Sequence, residues 1–304
     1  MSELEAGAGP AISAGSTIEE ELEAAALALR QAGIVDPRRE ALELWAAVSG
    51  ATPGAVWTHA GRPAPPALAG RFREAVRRRA AGEPLQYAAG VCGFRTLDLK
   101  IDSRALIPRP ETEGLVELVL EWAAERWGDA PQWGDALDLG TGSGCIALSL
   151  AAEGRFRRIV ATDLSAGALD LAAENLARVE PGTSVELRAG SWFEPVRGER
   201  FDVIVSNPPY IATGELAGLE RSVREFEPLV ALDGGGDGMV HIEAILKEAR
   251  GYLRDGGLLA LEIDAGRRAA ALEAARVHGW VKVRVEADLW GRPRYLLAQL
   301  GGKA

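Results

Sequence analysis

From Asp135 onward, short apolar runs alternate with amphipathic stretches, and this alternation restricts the possible folds more than any other feature of the chain. The runs are Ala136-Leu137-Asp138-Leu139, Ile159-Val160-Ala161-Thr162, Val185-Glu186-Leu187, Val203-Ile204-Val205 and Leu258 to Ile263. Segments with helical spacing lie between several of them, such as Ser165 to Ala177 and Val240 to Leu253. Strands that are apolar along their length are buried on both faces, so the pattern predicts an α/β fold, a mainly parallel sheet covered by helices on both sides. Near the end, Val281 to Val285 and Tyr295 to Leu300 are close enough to pair antiparallel at an edge of that sheet.

The N-terminal part follows a different period. Ser16 serves as an N-cap with Glu19 three positions on, and Leu22, Ala25, Ala26 and Leu29 then recur at helical spacing. Asp36-Pro37 opens a second helix that carries Ala41, Leu42, Leu44 and Trp45. A third is expected from Pro66 to about Ala81, with Leu68, Phe72 and Val76 on one face and Arg71, Arg73, Arg77, Arg78 and Arg79 on the other. Phe94, Leu97, Leu99 and Ile101 then alternate with Asp98, Lys100 and Asp102 at the period of two that marks a strand or hairpin. The expected division is a disordered tail over 1–15, a smaller all-helical domain over 16–90, a β-hairpin linker over 91–108 and the α/β domain over 109–304.

Composition narrows the function classes. With 34 basic and 44 acidic residues the formal net charge is −10, the wrong overall sign for a broad positive surface that binds nucleic acid. The arginines of the third helix are the local exception, readable as a basic face or as a solvated helix face. The two cysteines, Cys92 and Cys145, lie far apart, and the three histidines lack ligand spacing, so neither a disulfide framework nor a metal site is expected. No apolar run approaches the roughly 18 to 20 residues of a spanning helix, and the first 15 residues lack the basic and apolar regions of a secretory signal. A soluble cytoplasmic protein is the expectation.

Two motifs carry chemistry. Leu139-Gly140-Thr141-Gly142-Ser143-Gly144 joins a strand to a helix through glycines that let a ligand approach the backbone. The next strand ends at Asp163, where a carboxylate can accept from both hydroxyls of a ribose, or merely cap the helix that follows. Together they indicate a nucleoside cofactor; the absence of a phosphate-gripping lysine excludes a P-loop. The second motif, Asn207-Pro208-Pro209-Tyr210, follows a buried strand directly. Its prolines remove backbone donors, leaving the Pro208 carbonyl and the Asn207 side-chain carbonyl as paired acceptors for a planar NH2 group, against whose flat face Tyr210 can pack.

These two motifs, with Leu106-Ile107-Pro108-Arg109-Pro110-Glu111-Thr112-Glu113 upstream, resemble the protein-(glutamine-N5) methyltransferases of peptide chain release factors, the PrmC/HemK type of class I S-adenosylmethionine-dependent methyltransferase. The resemblance runs from the helical N-terminal part through Tyr87 and both motifs to Glu227-Pro228 and Asp288 to Arg294. It implies a Rossmann-like fold and methyl transfer from S-adenosylmethionine, leaving S-adenosylhomocysteine, to the glutamine side-chain nitrogen of a Gly-Gly-Gln motif. By position, Gly140, Thr141, Gly142, Ser143 and Gly144 would cradle the methionine end of the cofactor, Asp163 its ribose, and Trp192 its adenine. Glu111 and Thr112 would close over the methionine moiety, and Asn207 would bridge cofactor and substrate. Asn207, Pro208, Pro209 and Tyr210 would bind the glutamine side chain as the catalytic set. From the residues alone, Glu111-Thr112-Glu113 also reads as a helix N-terminus, where acidic side chains complement the dipole. The expected partner is a release factor, engaged by a monomer with no membrane and no direct nucleic acid required; the alternative is a DNA adenine or ribosomal RNA amino-methyltransferase sharing Asn-Pro-Pro-Tyr. Two local departures from the family pattern stand out, Ser191 before Trp192 and the stretch Leu261 to Gly266.

Overall fold

The computed structural model describes residues 15–301. The tail expected over 1–15 therefore lies, apart from Gly15, outside the described residues. The described chain divides into two compact units, one reaching Val91 and taking in Arg221–Phe226, the other comprising Cys92–Glu220 and the residues from Glu227 on.

The first unit is helical: α1 (Ile18–Gln31), α2 (Pro37–Ser49), α3 (Pro53–Thr58), α4 (Pro66–Ala80) and α5 (Leu85–Ala89). The N-cap of α1 is Thr17, one residue later than expected: Glu20 N–H donates to Thr17 Oγ1 at 3.2 Å and Thr17 N–H to the Glu20 carboxylate at 2.9 Å. Ser16 instead donates to the buried carboxylate of Glu21. Leu22, Leu29, Leu44, Trp45, Phe72 and Val76 build the core, with Trp45 and Phe72 edge to face at 4.8 Å. Four of the five arginines on α4 are ion-paired, which disfavours the basic-face reading. Arg73 pairs with Glu21, Arg77 with Glu74, Arg78 with Glu83 and Arg79 with Glu40, so most of the positive charge is cancelled within the unit.

The second unit opens with a hairpin, β1 (Val91–Phe94) and β2 (Leu97–Lys100), followed by α6 (Pro110–Trp127). Strands and helices then alternate as β3 (Trp133–Leu139), α7 (Cys145–Glu153), β4 (Phe156–Asp163), α8 (Ala166–Val179), β5 (Ser184–Ala189) and β6 (Phe201–Ser206). After the short helix α9 (Arg221–Phe226), which clusters with the first unit, come α10 (Val240–Glu248), β7 (Leu253–Glu262), α11 (Arg268–Val277), β8 (Val281–Ala287) and β9 (Pro293–Gln299). Helix α10 stops at Glu248, short of the expected end, because a 3-10 turn over Ala249–Gly251 precedes the buried start of β7.

The seven strands stand in the order β5-β4-β3-β6-β7-β9-β8, parallel except for β9, which runs antiparallel to both of its neighbours. The C-terminal pair forms at an edge as expected; within it β9 is inserted beside β7, and β8 is the edge strand opposite β5. Alternate residues of each strand feed opposite faces. Ala136, Ile159, Val203 and Val205 meet α6 and α7 on one side, while Leu137, Val160, Ile204 and Leu259 meet α10 and α11 on the other. The chain winds outward from β3 through β4 to β5, then restarts at β6 on the opposite side of β3, so β3 and β6 flank the switch point where open α/β sheets bind ligands. Both motifs begin there, one residue beyond the register pair Leu139 and Ser206.

Candidate active site

The turn after β3 uses its glycines for backbone conformation. Gly140, Gly142 and Gly144 take φ of 70°, 56° and 85°, a region that side chains with a Cβ rarely adopt. The turn is braced from below and from beside. Asp138 accepts from Thr141 Oγ1 at 2.6 Å and from Ala147 N–H at 3.2 Å. One carboxylate oxygen of Asp163 accepts from Gly142 N–H at 2.8 Å and the other from Ser165 N–H at 2.8 Å. Ser165, not Asp163, caps α8 through Ala168 N–H.

Beyond β6, Ser206 Oγ donates to the Leu139 carbonyl at 2.7 Å and locks the two strand ends together. Asn207 Nδ2 then donates to Thr112 Oγ1 at 3.1 Å, and Thr112 Oγ1 donates to Glu262 Oε2 at 2.7 Å. The Tyr210 hydroxyl donates to Glu262 Oε1 at 3.1 Å. Glu262 is 1% exposed at the end of β7; burial raises its pKa against the opposing pull of Thr112, Arg294 and Tyr210. Burial, with Glu262 close by, also pushes the Tyr210 phenol up.

A cleft that, with its open mouth, encloses about 1150 Å³ runs over both motifs. Gly140, Thr141, Gly142, Ser143, Asp163 and Trp192 line one stretch of it, and Thr112, Asn207 and Pro209 another. Trp192 holds a left-handed backbone at φ 43°, and its ring lies where a Cβ on Gly140 would come within 3.5 Å. Gly144, Pro208, Tyr210 and Glu111 are not part of the lining. Gly144 supports the turn, Pro208 is buried, and Tyr210 turns its hydroxyl inward to Glu262. Glu111 faces away: its carboxylate pairs with Arg292 at 2.9 Å and its carbonyl accepts from Tyr295. Thr112 is buried as the link between Asn207 and Glu262.

Several contributors were not foreseen. Arg109 lines the cleft and is held by buried Glu227, which also accepts from Ile107 N–H. His241 lines it beside Trp192, with ring centroids 5.5 Å apart. The run Asp233-Gly234-Gly235-Gly236-Asp237-Gly238 packs against the backbone of Tyr210, and a Cβ on Gly234 would lie 2.7 Å from the Tyr210 Cα. The glycine run is visible in the sequence, although its partner is not. Among the described residues no cluster of three His, Cys, Asp or Glu could hold a metal, and no helix is long and apolar enough to cross a membrane.

A switch-point cleft lined by a glycine turn, an aspartate at the end of the next strand and an Asn-Pro-Pro-Tyr corner, on a sheet of this strand order, is the arrangement of a class I methyltransferase. A solved methyltransferase from Pyrococcus furiosus shares the fold at a TM-score of 0.50 and 19% identity, covering 76% of this chain and 98% of that one. A family model described as the PrmC N-terminal domain matches residues 20–90, and one described as the methyltransferase small domain matches 124–223. The release factor glutamine methyltransferase of Cereibacter sphaeroides is 42% identical over 92% of this chain and 97% of its own length. That of Moorella thermoacetica is 42% identical over 93% and 98%. The chain belongs to the release factor glutamine methyltransferase family.

Proposed function

We propose that the chain methylates the side-chain amide nitrogen of the glutamine in a release factor's Gly-Gly-Gln motif, using S-adenosylmethionine held in the cleft. The observation that carries this reading is Asn207. Its NH2 is held by Thr112, its Oδ1 has no partner among the described residues, and it sits on the cleft wall one residue from the turn's own strand register.

The cleft suits the cofactor. Glycine Cα atoms replace side chains along Gly140 and Gly142, and the Trp192 ring offers an apolar face for a purine. Both Asp163 oxygens already accept one backbone N–H, which leaves further lone pairs to receive ribose hydroxyls. When bound, the cofactor supplies an electrophilic methyl carbon on a sulfonium. The protein's part is positioning. Asn207 Oδ1 and the Pro208 carbonyl would accept from the two hydrogens of the substrate amide, raise the electron density on its nitrogen and stabilise the positive charge that develops there until one of the two hydrogens leaves as a proton to water. Tyr210, anchored at its hydroxyl, would border the amide plane with its ring. Cytoplasmic action on a release factor as a monomer completes the reading. The nucleic-acid alternative shares Asn-Pro-Pro-Tyr but loses its support from the arginine face of α4, where four of the five arginines are paired with carboxylates.

The test is mass spectrometry of a release factor after incubation with enzyme and cofactor, with DNA and ribosomal RNA in parallel arms and tritiated cofactor as tracer. One added methyl on the Gly-Gly-Gln glutamine is expected; label entering only nucleic acid would refute the assignment. Asn207→Ala should lower turnover by about 100-fold or more while cofactor affinity changes only a few-fold.

A further inference from the structure

We infer that Glu262 is a positioning residue for methyl transfer: it fixes the direction of a hydrogen-bond relay through Thr112 so that Asn207 presents its amide oxygen to the substrate. The inference rests on the function proposed above. Its basis is hydrogen counting. A hydroxyl owns one hydrogen, an ionised carboxylate owns none, and an amide has its acceptor and its donors on opposite ends. Glu262 Oε2 lies 2.7 Å from Thr112 Oγ1, so the threonine hydrogen goes to the carboxylate. Thr112 Oγ1 can then only accept from Asn207, and only the NH2 end can supply that bond, which it does at 3.1 Å. The amide oxygen is left as the atom available to a ligand on the cleft wall.

The same carboxylate holds the other end of the tetrapeptide through the Tyr210 hydroxyl at 3.1 Å. A single buried side chain on β7 therefore anchors both Asn207, indirectly, and Tyr210, directly. The buried Arg294 guanidinium, from β9, pulls Glu262 toward the ionised form against the burial that raises its pKa; its Nε lies 3.8 Å from Asp288 Oδ2 and makes no hydrogen bond among the described residues. A glutamine at 262 offers one acceptor oxygen and one NH2 donor, so one of the two hydroxyls must accept where it now donates; at Thr112 that frees the threonine hydrogen and removes the constraint on which end of the Asn207 amide faces it.

The experiment compares Glu262→Gln, Thr112→Val, Thr112→Ser and the Glu262→Gln/Thr112→Val double variant with the parent on a release factor substrate. Glu262→Gln and Thr112→Val should each lower kcat by about 10- to 100-fold, the loss expected from misplacing a reacting group by a fraction of an ångström. Thr112→Ser, which keeps the hydroxyl, should stay within about threefold of the parent. Because both substitutions cut one relay, the double variant should fall no further than the worse single one. Calorimetric cofactor affinity and thermal midpoints provide readouts separate from turnover, and both should stay near parental values in Glu262→Gln and Thr112→Ser. A kcat within about twofold of the parent in Glu262→Gln, or additive losses in the double variant, would overturn the inference. A parent enzyme that places no methyl on the release factor would instead overturn the proposed function.

Discussion

Asp138 carries a buried carboxylate with donors on one oxygen only; Oδ1 has no hydrogen-bond partner among the described residues. Burial pushes its pKa up to about 7, outweighing Thr141 and Ala147, which stabilise the anion. The folded protein therefore keeps this proton between the ordinary value of 3.8 and about 7, where the unfolded chain has already lost it. Stability from this group is highest at the acidic end of that window and declines as pH rises through it, by an amount on the order of a few kcal/mol. Asp138→Asn, whose amide oxygen can still accept from Thr141 and Ala147, should abolish that decline and be at least as stable as the parent above pH 7. Urea titrations of both proteins across the pH range, compared as a difference, check it. At this scale the sequence was informative where chemistry is local. Asn207 to Tyr210 and Gly140 to Gly144 are contiguous and their geometry follows from prolines and glycines. The Glu262 relay was illegible because its members are separated by 95 and 150 residues, and no spacing rule connects them.

Elements were legible in proportion to how far one period decided them. The parallel strands appear where apolar runs placed them, since both of their faces are covered. The start of α1 falls at Thr17 with Glu20 and not at Ser16 with Glu19, because tertiary contacts claim the serine: Ser16 is committed to Glu21, and its carbonyl accepts from Ala64 N–H. The insertion of β9 beside β7 could not be read from adjacency alone, because a hairpin looks the same whichever strand lies inside. The loop before α10 shows what an element without regular structure can impose. Gly234 admits the Tyr210 backbone only because it lacks a Cβ. Gly234→Ala should cost about 1–3 kcal/mol and, by displacing the motif, lower turnover about tenfold or more. Gly214→Ala, with nothing near its Cβ position, is the control that should change neither. Chemical denaturation together with initial rates on a release factor distinguishes the two.

For the molecule as a whole, every residue lining the cleft comes from the second unit, whereas the Trp45 core belongs entirely to the first. Trp45→Ala should destabilise the helical unit by about 3–5 kcal/mol and yet leave cofactor affinity at the parental value. Hydrogen exchange resolved by segment, combined with calorimetric titration, would show faster exchange confined to the helical unit; a parallel loss of cofactor binding would contradict this separation. The charge arithmetic also resolves at this scale. The net charge of −10 is not offset by a broad basic helix, because Glu21, Glu40, Glu74 and Glu83 neutralise four of the five arginines of α4 in place. Helix α9 belongs with the first unit although the chain reaches it only after β6. During synthesis at roughly 5–20 residues per second, α1 to α5 leave the ribosome on the order of ten seconds before their last helix exists. A nascent chain thus spends that interval with its earliest unit unfinished, and a stall anywhere between Val91 and Arg221 would leave it so.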